Sequence, residues 1–224
     1  MKRWLSYLIF FLLIPVTVLG GALIFKQKQY AFLSLCVTVF SCVPFFLHFE
    51  KKQSRAGQLI LIAVMVALSV LGRFIFAPLP GFKPVTAMVV ITAMYFGSEA
   101  GFMTGALSAV LSNFYFGQGP WTPFQMFSWG MIGLLAGLMA EPLKRSKIVL
   151  TVFAVFSGVL YSLLMDIWTV LWADGYFNFS RYLAAILSAA QFTAVYAVSN
   201  VIFLLLLAKP IGKILNRVTV KYGL

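Results

Sequence analysis

Five carboxylates and one histidine are all that this 224-residue sequence offers for acid–base or metal chemistry: Glu50, Glu99, Glu141, Asp166, Asp174 and His48. One histidine cannot build a two-histidine zinc site, and at the end of an apolar run it reads as an interfacial residue rather than a ligand. No G-x-x-x-x-G-K-[ST] stretch occurs, so the chain has no phosphate-cradling loop with which to use ATP itself. Asp166 is the one acid well inside an apolar run. A carboxylate there is costly, and it marks either a functional site or a hydrogen bond that fixes one helix to another. With no second acid in a span, neither a paired-carboxylate hydrolase nor a proton relay is supported. Cys36 and Cys42 lie in an apolar run without a partner motif and give no sign of a disulfide, a metal site or a redox role. No catalytic residue, metal ligand or cofactor is expected.

Groups suited to binding are more plentiful. Residues 113–130 interleave amides (Asn113, Gln118, Gln125) with flat aromatic faces (Tyr115, Trp121, Trp129), and Gly117, Gly119, Pro120 and Pro123 shape the turn between them. Trp and Tyr also mark the ordinary membrane interface, but the interleaved amides point to recognition of an uncharged or zwitterionic organic molecule. The candidate pocket beneath the outer loops is bounded by Arg73, Lys83, Asn113, Gln118, Trp121, Gln125, Asp166 and Trp172.

The elements that must position these residues follow from composition. Hydrophobic residues make up 62% of the chain and charged residues 10%, and the mean hydropathy is +0.99, too apolar for a water-soluble surface. The net charge of +12 sits at the ends of apolar runs rather than as a stripe on a polar domain, which argues against nucleic acid and for membrane topology. Eight candidate spans emerge, at 4–25, 30–49, 56–76, 85–96, 100–116, 125–140, 147–173 and 182–208. The fourth and sixth are too short to cross unaided, and residues 77–84 carry three prolines that forbid regular helix. With both termini in the cytoplasm, twelve Lys and Arg fall inside and five outside, the expected bias. The first segment reads as an anchor; a signal peptide cleaved after Gly20 or Ala22 is the alternative and leaves the remaining topology unchanged.

Two rows of small residues are apparent. Gly97, Gly101, Gly105 and Ala109 recur every four residues and suit close packing of a neighbouring helix. Ala56, Ala63 and Ala67 form a second row, readable as internal packing or as a docking face for another membrane subunit.

Residues 72–84 and the run from Asn113 to Pro123 resemble the substrate-binding (S) components of energy-coupling factor (ECF) vitamin transporters, in particular a subgroup that includes proposed cobalamin carriers. The resemblance covers about 56–208. It implies an all-α integral membrane fold with a six-helix core; the two additional N-terminal transmembrane helices at 1–50 depart from that six-span pattern, and a basic cytoplasmic tail follows at 209–224. It further implies a multi-pass protein of the cell membrane that captures a vitamin-like molecule from outside, cobalamin or a related corrinoid being the first expectation. Its partners would be a transmembrane coupling subunit, docked on Ala63 and Ala67, and two ATPase subunits. The absent phosphate loop fits that division of labour. An intramembrane enzyme or assembly factor built on Asp166, and a self-sufficient secondary carrier, are the alternatives.

Overall fold

The computed structural model describes residues 56–222 together with Val39, Cys42 and Val43. The spans expected at 4–25 and 30–49 therefore lie outside the described residues apart from those three positions, as do Cys36, His48 and Glu50. Seven helices follow: α1 (Ala56–Ile75), α2 (Val85–Phe96), α3 (Ser98–Phe116), α4 (Thr122–Leu138), α5 (Ala140–Arg145), α6 (Lys147–Asp174) and α7 (Phe179–Tyr222). No strand occurs among the described residues, and the all-α expectation holds. Three of these helices, α1, α6 and α7, are long and apolar enough to cross a membrane.

The short spans have a structural reason. At 12 residues, α2 is about 18 Å long, and Val85 through Met94 are all buried. A helix apolar on every side belongs inside a bundle, so α2 does not have to match the bilayer on its own. It is the centre of the main core, where Met88, Val89, Val90 and Ile91 meet Met65 of α1, Trp129 and Ile132 of α4, Phe153 of α6 and Phe203 and Leu204 of α7. Gly97 is the single residue between α2 and α3, and its φ of 91° makes the reversal that a side chain would oppose.

The glycine row on α3 is a packing seam against α4. A Cβ on Gly101 would lie 2.8 Å from the Gly133 carbonyl oxygen, and one on Gly105 would lie 2.5 Å from the Trp129 backbone. Only glycine lets the two backbones approach this closely. Cys42 is buried beside the seam against Phe102, Ala106 and Leu134.

On α1 the faces divide cleanly. Ile62, Met65, Val66, Ser69 and Arg73 point inward, while Leu59, Ile60, Ala63, Val64, Ala67, Leu68, Leu71 and Ile75 are exposed. The outward face is as apolar as the inward one, as expected of a surface that meets lipid or another membrane helix.

Two differences from the sequence reading stand out. Residues 141–145, expected as connecting loop, form with Ala140 the short helix α5 (Ala140–Arg145). The last span does not end at Ala208: α7 runs 44 residues, about 66 Å, and carries the basic segment through Pro210 to Tyr222. Pro210 removes one backbone hydrogen bond and crowds the preceding turn, at a cost of about 3 kcal/mol, yet the helix continues through it.

Candidate functional site

A cavity of about 140 Å³ lies where the end of α1, the loop 76–84 and helices α2, α4, α6 and α7 converge, lined by Arg73, Gly81, Lys83, Val85, Thr86, Gln125, Trp129, Tyr161, Tyr196 and Asn200. Arg73 comes from the last turn of α1, where a cation complements the exposed carbonyls of the helix end. It is 9% exposed. Its Nη1 donates to Ser112 Oγ and, across 2.8 Å, to Asn113 Oδ1, both on α3. The Asn113 amide nitrogen in turn donates to Thr122 Oγ1 at 3.0 Å and to Gln125 Oε1 at 2.7 Å. Gln125 Nε2 then reaches the Tyr161 hydroxyl at 3.3 Å. One polar relay thus joins α1, α3, α4 and α6 and fixes which end of each amide faces which neighbour.

Aromatic walls complete the cavity. Trp129 and Tyr161 are stacked at 5.2 Å with 15° between their planes, and Tyr196 meets Tyr161 edge-on at 5.3 Å. The Arg73 guanidinium lies 4.5 Å from the Phe116 ring centroid and 5.3 Å from that of Trp129. Lys83 Nζ lies 5.0 Å from the same Phe116 ring. These are the cation–π distances at which a ring face attracts positive charge.

Lys83 is placed by its backbone. The loop 76–84 descends in tight turns, including Ala77 N–H to Phe74 O at 3.0 Å and Leu79 N–H to Phe76 O at 3.1 Å. Ser199 of α7 then accepts from the Lys83 N–H at 2.9 Å and donates to its carbonyl at 3.2 Å. Burial, and secondarily the Arg73 charge, hold the Lys83 ammonium below its ordinary pKa. Among the described residues the lining contains no carboxylate, histidine or cysteine. It can hold a molecule by stacking, amide hydrogen bonds and positive charge.

Of the eight residues expected to bound a pocket, Arg73, Lys83 and Gln125 line this cavity, and Asn113 stands directly behind it. Gln118 braces the outer loop, donating to the Val110 carbonyl at 2.8 Å and accepting from Thr122 Oγ1 at 3.0 Å. Trp121 packs against the cluster of Phe124, Trp168 and Leu171. Trp172 is 60% exposed beside Trp168. Asp166 lines a different cavity, of about 430 Å³ between α6 and α7, with Thr169, Arg181 and Ser188. Thr86, Tyr161, Tyr196 and Asn200 were not anticipated. Their common signal is a polar side chain within a long apolar run, the same signal that drew attention to Asp166.

The protein family described as "ECF-type riboflavin transporter, S component" matches residues 54–217. The chain belongs to this family. It is a multi-pass membrane protein and a substrate-specific subunit of an ECF transporter, a family of transport subunits rather than enzymes. The match includes every helix and every lining residue of the cavity in this S component, stopping only within the last turns of α7. No curated protein and no solved structure matches the chain.

Proposed function

We propose that this S component captures a flat, conjugated, vitamin-like heterocycle from the outer side of the cell membrane, in the cavity between Arg73 and Tyr196. A transmembrane coupling subunit and two ATPase subunits then drive its uptake. The observation that carries the reading is the stacked Trp129–Tyr161 pair set beside the Arg73–Asn113–Gln125 relay. Aromatic faces favour a planar ring, and amides held in one orientation select the pattern of donors and acceptors on its edge. Flavins are the first candidates, because the matched family is described for riboflavin. A corrinoid is much bulkier than a flavin, and one stacked pair of rings suits it less well.

The outward row of Ala63 and Ala67 on α1 supports docking of the coupling subunit, since small side chains let a partner helix approach closely. The excess of Lys and Arg at 51–55, 144–147 and 209–221 supports cytoplasmic termini. Uptake of labelled riboflavin by cells carrying this chain, with and without an ATPase-inactive coupling module, tests the reading. Accumulation that requires active ATPases is the expected result; accumulation by this chain alone would make it a self-sufficient carrier.

A further inference from the structure

Among the described residues, the capture cavity is lined by two cations and no anion. Arg73 and Lys83 both line it, and no described carboxylate lines it or pairs with either. Asp174 is engaged with Arg181 at 2.6 Å, and Glu141 with Lys144 and Arg145 at 3.3 and 3.6 Å. Asp166 faces the other cavity. Glu99 sits in the first turn of α3, whereas Asn113 is in its last.

A buried cation without a counter-charge is costly, and neutral acceptors and ring faces offset only part of that cost. The Arg73 bonds to Ser112 and Asn113 use Nη1 alone, so no described acceptor takes Nε or Nη2. Lys83 makes its hydrogen bonds through the backbone, and its Nζ meets only the Phe116 face. Both charges border the cavity that contains the stacked Trp129–Tyr161 pair. A guanidinium with free donors and an adjacent ammonium are the groups that recognise carboxylate and phosphate oxygens.

We propose that the captured molecule carries a carboxylate or a phosphate, seated between Arg73 and Lys83, with its conjugated ring beside Trp129 and Tyr161. This rests on the capture reading above and narrows its preferred substrates to anionic heterocycles, among flavins the phosphate ester ahead of riboflavin itself.

Two probes test it on the purified full chain. The first is inorganic phosphate against chloride at matched ionic strength, read as the shift in Tm. Phosphate should raise Tm in the parent, not in Lys83→Gln, and again in Lys83→Arg. The half-buried Lys83 is chosen because replacing the deeply packed Arg73 endangers folding. The second is a matched pair, flavin mononucleotide and riboflavin, which differ only by a phosphate. Flavin mononucleotide should bind about tenfold tighter or more, the scale of a charge-assisted contact. That ratio should collapse toward one in Lys83→Gln. Phosphate that protects no better than chloride, or that protects Lys83→Gln as well as the parent, overturns the anion seat. So does riboflavin binding as tightly as its phosphate ester, a result that leaves capture itself standing. If neither flavin binds while the Lys83-dependent phosphate effect persists, the seat is upheld and flavins are discarded as the ring.

Discussion

The Asn113 amide nitrogen donates to Gln125 Oε1 across 2.7 Å while its carbonyl oxygen accepts from Arg73, so a residue of α3 sets the orientation of an amide on α4 that lines the cavity. Asn113 is 1% exposed and touches no open space itself. Its role is positioning.

Replacing Asn113 by Leu keeps the volume roughly constant and removes its three side-chain bonds, to Arg73, Thr122 and Gln125. Arg73 is then left with Ser112 alone and the Gln125 carbonyl oxygen loses its Asn113 donor, which costs about 1–3 kcal/mol for each group left short. Thermal unfolding of the ligand-free protein in detergent should show a clear drop in Tm. An unchanged Tm would mean that the relay contributes nothing to the fold.

Much of this arrangement was legible beforehand, and the misses have a common cause. Gly101 and Gly105 are readable as a seam because their spacing of four needs only one helix to interpret, whereas Gly97, in the same row, lies in the turn before α3 and packs against nothing. Arg73, Lys83 and Gln125, which line the cavity, stand out in the sequence because charges and amides next to apolar runs are rare. Trp121 and Trp172 were placed in the pocket by proximity in sequence, yet the rotation of each helix turns one toward Trp168 and leaves the other exposed. Tyr161 and Tyr196 were passed over because an aromatic residue within a span reads as apolar filling. Only the packing of α6 against α4 and α7 brings their rings together.

The outward position of Ala63 and Ala67 makes the docking expectation testable. An Ala63→Trp, Ala67→Trp chain should still bind its ligand in detergent, because neither residue packs inward. It should fail to copurify with the coupling subunit and its ATPases, since bulky side chains hold the helices apart and forfeit many dispersion contacts. Full uptake by the double variant would show that nothing docks there.

Topology can be read chemically. In a background lacking Cys36 and Cys42, a cysteine at Ser146, between α5 and α6, should be shielded from a membrane-impermeant thiol reagent in intact cells. A cysteine at Asn178, between α6 and α7, should react. Equal labelling would contradict the orientation drawn from the charge bias.

Lys83 gives a pH dependence of definite sign. The charged groups facing it are Arg73 from α1, with the Tyr161 and Tyr196 hydroxyls across the cavity. Burial first and Arg73 second lower its pKa, so it loses its proton at a lower pH than an exposed lysine does. Between the lowered and the ordinary value the unfolded chain holds more protons than the folded one, so ligand-free stability rises with pH through that window. Affinity for an anionic probe such as flavin mononucleotide should fall through the same window. Titrations of both quantities check this, and Lys83→Gln should remove both slopes.

The central claim is that a planar heterocycle sits against Trp129 and Tyr161, and mass spectrometry of the molecule retained by gently purified protein tests it most directly. The parent should release a conjugated ring compound of vitamin size. Trp129→Ala should lose it, because truncating a stacked aromatic in a desolvated pocket costs about 1–3 kcal/mol, or roughly 5- to 150-fold in affinity. Trp121→Ala, which alters a wall outside the cavity, should keep it. Retention of the same molecule by Trp129→Ala at the parent's level, or its loss in Trp121→Ala alone, would contradict the account and move the site to the outer loop.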